Sequence, residues 1–257
     1  MFYSERDFIG YLITLKNIIR GLILYQCSNI HESKSEAKIG ILLSNLGTPD
    51  APTKKAVKPF LRQFLSDTRV IEPPPPRWIW QLILNVVILN LRPRKSAKLY
   101  QSVWDTHGEG SPLLSISKMQ KKAIVLQLEK MAPGRFIVAL GMRYGNPSIK
   151  SALSELESEG CSNIIVLPLY PQYASSSTGS VFDAVTEGLS SWRNTPDFRF
   201  ISSYNKEELY IQALANSVKE YQATHGKPEI LNSDQGCQFT CKEYVEYLKQ
   251  EQIQISM

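Results

Sequence analysis

Histidine and cysteine are scarce in this 257-residue chain, which has three of the first and four of the second. The cysteines, Cys27, Cys161, Cys237 and Cys241, are scattered, and only the last two sit close together. No further Cys or His follows them at ligand spacing, so coincidence is the better reading of that pair than a metal site. Reduced thiols in a cytosolic protein are the expectation. Neither G-x-G-x-x-G nor G-x-x-x-x-G-K-[ST] occurs, which removes the best support for a nucleotide. The N-terminus carries no secretory signal with a small-residue cleavage site. Long uncharged apolar runs are missing too. Phe8 to Leu24 is broken by Lys16 and Arg20 on one helix face, which argues against a membrane span. A helix packed on the domain, or upstream sequence read by accident, is the preferred reading of that stretch, and an interfacial amphipathic helix the other.

Charge is unevenly spread. Residues 1–37 are neutral overall and residues 229–257 sum to −3, so the middle holds +8 of a formal net charge of +5. That favours an anionic ligand, nucleic acid or an acidic membrane surface, without choosing among them.

Lys38 to Leu46 is a short apolar run closed by Gly47-Thr48-Pro49-Asp50, which predicts a buried strand and a turn. Thr53 to Asp67 has helical apolar spacing with Thr53 as N-cap. Pro59 within it should kink or restart the helix. Pro73 to Pro76 form a stiff polyproline break. Trp78 to Leu89 then reads as either a core helix or a lid over an apolar ligand or membrane, and Arg92-Pro93-Arg94-Lys95 follows.

From Lys118 onward the pattern alternates. Helices are predicted at Gln120–Leu128, Pro147–Glu157, Gly179–Leu189 and Glu207–Gln222, with strands at Phe136–Leu140, Ile164–Leu169 and Phe198–Ser202. Such alternation predicts an α/β fold with a parallel sheet covered on both faces. Ligands in these folds bind at the carboxyl ends of strands. Three strand ends should share one crevice: Asn45 to Asp50, Gly141 to Pro147 and Leu167 to Gly179. They offer Arg143, the rings of Tyr144, Tyr170 and Tyr173, and hydroxyls including Ser177 and Thr178 at a helix N-terminus. A flat apolar molecule with carboxylate arms fits this set. Equally open at this point is a plainer reading, in which the serines cap a helix and the tyrosines are core.

The strings NLGTPD, FLSDTRV, AKLYQSVW, GSPLL, ALGMRYGNPSI and VLPLYPQYASSSTGS, in this order, resemble the N-terminal part of bacterial ferrochelatases. The resemblance covers residues 38–228. It implies a chelatase-like, doubly wound parallel sheet whose second half is truncated, and a role in inserting Fe²⁺ into protoporphyrin IX during haem synthesis. Fe²⁺ is then a substrate, and no cofactor is expected. By resemblance, Trp78–Leu89 is the active-site lip, with peripheral contact to the inner membrane. Arg92, Tyr100, Ser111, Arg143 and Tyr144 face the porphyrin or its propionates, and Asn45 lies on the metal side. The family's catalytic His and Glu are absent from the resembling stretch, so the expectation is a chain without turnover, or a non-catalytic porphyrin-binding remnant. His31 lies in the N-terminal extension, His107 in a loop and His225 near a helix end, and none replaces that base.

Residues 229–257 resemble something else. Asn232-Ser233-Asp234-Gln235-Gly236-Cys237-Gln238-Phe239-Thr240 is similar to the integrase-type core of insertion-sequence transposases, in which the position of Asp234 is one of three metal-binding carboxylates. The other two are missing, and the segment is acidic, so nucleic acid is not expected as a partner. The organisation expected is an extension over 1–37, a ferrochelatase-like domain over 38–228 and a transposase-like fragment over 229–257.

Overall fold

The computed structural model describes residues 38–72, 76–104, 110–232, 242–250 and 252–256. The helix expected in 1–37, most of the polyproline break, His31, His107, Cys27, Cys237, Cys241 and Asp234 lie outside the described residues. Two compact units are present: residues 31–202 form one, and residues 203–257 belong to the other.

The first unit is built on four parallel strands: β1 (Ile39–Thr48), β2 (Phe136–Gly145), β3 (Asn163–Pro168) and β4 (Asp197–Phe200). Their order is β2-β1-β3-β4. β1 is buried on both sides, with Leu42 and Leu43 both at 0% exposure, and its sequence is accordingly an unbroken apolar run rather than an alternation.

Helices lie on both faces. α5 (Ile149–Ser158) and α6 (Ser180–Leu189) pack their apolar stripes on Leu42, Ala139, Ile164 and Val166. α4 (Pro112–Met131) covers the other face. Asn45, three residues on from Leu42 and so turned to the opposite side of β1, donates to Ser117 Oγ of α4 at 3.1 Å. Close approach of β1 and β2 at their carboxyl ends requires glycine. Gly47 has φ +101°, and a Cβ there would run into the Tyr144 carbonyl oxygen.

Between β1 and α4 stand α1 (Lys54–Ser66), α2 (Arg77–Ile83) and α3 (Leu89–Val103). Thr53 caps α1 by accepting from Ala56 N–H at 3.3 Å. The helix does not restart at Pro59: α1 is continuous through it. One backbone bond is lost, but Val57, Phe60, Leu61 and Leu65 bury an apolar face that holds the turns on either side.

α2 and α3 are joined by a π-helical turn, Leu84–Ile88, and side-chain amides take up carbonyls around it: Asn85 donates to Gln81 O and Asn90 to Val86 O, both at 2.7 Å. The core-helix alternative for Trp78–Leu89 is overturned. Leu84 and Leu89 are buried, but Trp78, Leu82 and Val86 are 66%, 55% and 59% exposed. Leu84 and Leu89 reach the core, Trp80 and Ile88 pack on its edge, and Trp78, Leu82 and Val86 face out.

The second unit contains α7 (Glu208–His225), the short parallel pair β5 (Ile230–Asn232) and β6 (Gln254–Ser256), and α8 (Lys242–Gln250). Gly226 ends α7 with φ +80°.

Candidate active site

Strand order 2-1-3-4 puts β1 between β2 and β3, so the three predicted strand ends do lie side by side. The chain leaves β1 toward one edge and later returns past it to the other. In open α/β sheets the carboxyl end of such a switch point is the ligand crevice.

Arg143 and Tyr144 emerge at the end of β2 and meet a residue from far away in sequence. Asp67, the C-cap of α1, accepts from Arg143 Nη2 at 2.6 Å, Tyr144 OH at 2.8 Å and Ser180 Oγ at 2.5 Å on its Oδ2, and from Arg69 N–H at 2.8 Å on its Oδ1. Arg143 also donates from Nε to Ser180 Oγ at 2.6 Å, and its guanidinium carbon stands 4.7 Å from the centre of the Tyr144 ring. Burial alone would raise the Asp67 pKa. Hydrogen bonds from Ser180, Tyr144 and the Arg69 N–H, together with the Arg143 charge, outweigh it, and the carboxyl is held below its ordinary value. Burial pushes the Tyr144 phenol up to about 12, the bonds to Ser180 and Asp67 adding smaller effects of opposite sign.

A second pair stands beside the first. Arg69 forks onto Asp183 of α6, Nε to Oδ2 at 2.6 Å and Nη2 to Oδ1 at 2.8 Å, and its Nη1 donates to Ser175 Oγ at 3.4 Å. The Asp67-Thr68-Arg69 turn is therefore hooked twice to the start of α6 and the hydroxyl loop before it.

The other predicted residues are placed as follows. Tyr144 offers no ring face to a ligand: it is 0% exposed and edge-packed against Phe60 and Phe64. Asn45 has both ends of its amide engaged, with Ser117 Oγ and the Leu46 N–H. Thr178 is buried, donating to Gln172 O at 3.4 Å, and Ser177 donates to Ala174 O at 3.5 Å. Ser111 is buried at the start of α4 without using its hydroxyl to cap it. Tyr100 is half-buried, edge-on to Phe60 and Trp104, and Arg92 is exposed on α3. Tyr170 has a buried hydroxyl with no hydrogen-bond partner, and burial moves its pKa upward. Tyr144 and Thr178 are both fully buried.

Sequence reasoning passed over Asp67, Arg69, Ser180 and Asp183. Asp67 carried a signal. A carboxylate at the C-terminal end of a helix faces the negative pole of the helix dipole, so it needs a dedicated cation. Among the described residues no cluster of three or more His, Cys, Asp or Glu could hold a metal ion. His225, the one described histidine, stacks on Tyr221 in the second unit at 4.4 Å.

Residues 38–251 match the family described as ferrochelatase. The match passes residue 228 and so runs into the stretch expected to be a transposase-like fragment. The ferrochelatase of Hydrogenovibrio crunogenus is 54% identical over 207 residues, which are 80% of this chain and 55% of that one. Ferrochelatase 1 of Shewanella oneidensis is 53% identical over 192 residues, 75% and 56% of the two chains. That of Thioalkalivibrio sulfidiphilus is 51% identical over 189 residues, 74% and 50%. The chain spans about half the length of the curated relatives it matches. With the parallel sheet covered by helices on both faces, these matches place the chain in the ferrochelatase family.

Proposed function

We propose that residues 38–202 hold protoporphyrin IX at the carboxyl ends of β1, β2 and β3, as the porphyrin-binding side of an enzyme that inserts Fe²⁺ in haem synthesis. The reaction takes Fe²⁺ and releases the two pyrrole protons. Support comes from the family membership and the relatives' names. The observation that carries the site is the apolar ridge of α2 and the π turn. It leaves Trp78, Leu82 and Val86 uncovered where a lid over a flat apolar ligand is expected. Arg92 and the open side of Arg143 are the proposed partners of the propionates, with Ser177 at the loop before α6.

The same ridge, with Lys54 and Lys55 on α1 and Arg92, Arg94 and Lys95 on α3 exposed nearby, suits peripheral contact with an anionic bilayer. No helix among the described residues is long and apolar enough to cross a membrane. Lys58 Nζ donates to Asn90 Oδ1 at 3.2 Å, which brings the two basic stretches side by side.

In this reading these 257 residues bind porphyrin without inserting metal. The step needs a base within hydrogen-bond reach of the pyrrole N–H groups, and none is supplied by the resembling stretch. The test is a titration of the purified chain with protoporphyrin IX, followed by Zn²⁺ addition and the rise of zinc-porphyrin fluorescence. Saturable binding without insertion above the uncatalysed rate is expected. Absence of binding would sink the porphyrin reading, and insertion would sink the inactive one.

For residues 229–257 the proposal remains a transposase-like fragment joined by insertion of a mobile element. N-S-D-Q-G-C-Q-F-T supports it, and the family match to residue 251 weighs against it. A long genomic read without a transposase frame at this locus would end that reading.

A further inference from the structure

We infer that Asp67 is a positioning residue: it holds Arg143 in one orientation at the strand ends and so sets how tightly the crevice takes a carboxylate-bearing porphyrin. The inference rests on the reading that Arg143 meets a propionate. Three constraints fix this guanidinium. Nη2 is paired to Asp67 at 2.6 Å, Nε is bonded to Ser180 at 2.6 Å, and the plane stands over the Tyr144 ring. Nη1 makes no hydrogen bond to any described residue, and the side chain keeps 22% exposure where that of Asp67 has 5%. The carboxylate is therefore the deeper member of the pair and the arginine the more exposed one.

An arginine otherwise loses rotamer freedom when it clamps a ligand, and that loss weakens binding. Here the loss is taken on folding. Asp67 is itself fixed by three donors besides Arg143, and Arg69 ties the same turn to Asp183. The carboxylate thus acts through Arg143 and touches no ligand.

The experiment is porphyrin binding by fluorescence in detergent micelles, with protoporphyrin IX and its dimethyl ester as paired probes, on the full chain and on D67N, R143Q and S180A. The ester keeps the flat apolar ring and lacks the carboxylates. D67N is expected to weaken the diacid ~5- to 10-fold, the free energy of re-immobilising one long side chain, and to leave the ester within ~2-fold. S180A, which removes the hydroxyl that accepts from Arg143 Nε and donates to Asp67 Oδ2, loosens both members of the pair and should act in the same direction by ~2- to 3-fold. It decides the matter if D67N does not fold by circular dichroism.

A merely structural role would weaken both probes alike, and that result overturns the inference. Unchanged or tighter diacid binding in D67N, with R143Q weakened, refutes Asp67 while leaving Arg143 as the anchor. Unchanged diacid binding in R143Q refutes the propionate reading itself, and the inference with it.

Discussion

Asp67 and Arg143 form an ion pair at 2.6 Å in which the carboxylate is the deeper partner, 5% exposed against 22% for the arginine. The asymmetry predicts unequal costs. Removing Asp67 leaves the Arg69 N–H and Arg143 Nη2 without their acceptor, and leaves the Tyr144 and Ser180 hydroxyls only each other, 3.1 Å apart. Removing Arg143 leaves a carboxylate that still accepts three hydrogen bonds. D67A should therefore lower the free energy of unfolding by about 3 kcal/mol, and R143A by about half as much. Urea denaturation of both variants checks the order, and equal or reversed costs would refute it.

The depressed Asp67 pKa has a definite sign in stability. Its folded-state value lies below its unfolded value. The contribution is complete above the unfolded value, near pH 4, and is lost as pH falls through the folded value. Other carboxylates titrate in the same range, so the readout is a difference. The gap in unfolding free energy between the native chain and D67N should be constant from about pH 5 to 7 and shrink below about pH 4. A gap that widens on acidification would mean that Asp67 is not held ionised by its donors.

The ridge of α2 and the π turn separates stability from binding. Leu84 and Leu89 are fully buried beside Val57, Phe60 and Tyr144. L84A or L89A should cost about 2–4 kcal/mol. Trp78, Leu82 and Val86 are more than half exposed, and replacing each with serine should change stability by under about 0.5 kcal/mol. If the ridge covers the porphyrin, the triple serine variant should weaken binding of the diacid and of its dimethyl ester alike. A variant that unfolds easily yet binds normally would contradict both halves of this statement.

What could be read from the chain follows from the range of the interactions involved. Strands buried on both faces are continuous apolar runs, so Ile39–Leu43 and Ile164–Leu167 announce a parallel sheet locally, whereas Gly47, expected to open a turn, still belongs to β1 and marks its close approach to β2. Pro59 misleads because propensity is local, whereas the face formed by Val57, Phe60, Leu61 and Leu65 is held by tertiary packing. Trp78–Leu89 stayed ambiguous because apolar residues all round a helix fit a core and a lid equally well. The Asp67–Arg143 pair spans 76 residues of sequence, and no periodicity connects two such positions. Tyr144 was read as a ligand-facing ring from its place at a strand end. Its packing between Phe60 and Phe64 depends on where α1 docks, which is a property of the assembled fold.

Tyr170 gives the last test. It lies two residues past the end of β3, and its hydroxyl is buried without a partner while its ring packs against the α5–α6 core. An unsatisfied buried hydroxyl is destabilising by about 1–3 kcal/mol relative to a satisfied one. Phenylalanine keeps the ring and removes the hydroxyl, so Y170F should raise the thermal midpoint, equivalent to a gain of about 1 kcal/mol. The same variant probes the crevice. A hydroxyl that bonds the porphyrin would make Y170F more stable when free and weaker in binding, both from one oxygen atom. A more stable variant with unaltered porphyrin affinity would assign Tyr170 to the core alone and confine ligand contact to the Arg143 side of the strand ends. A less stable variant would mean that the hydroxyl has a partner in solution, and the proposed source of the gain would be gone.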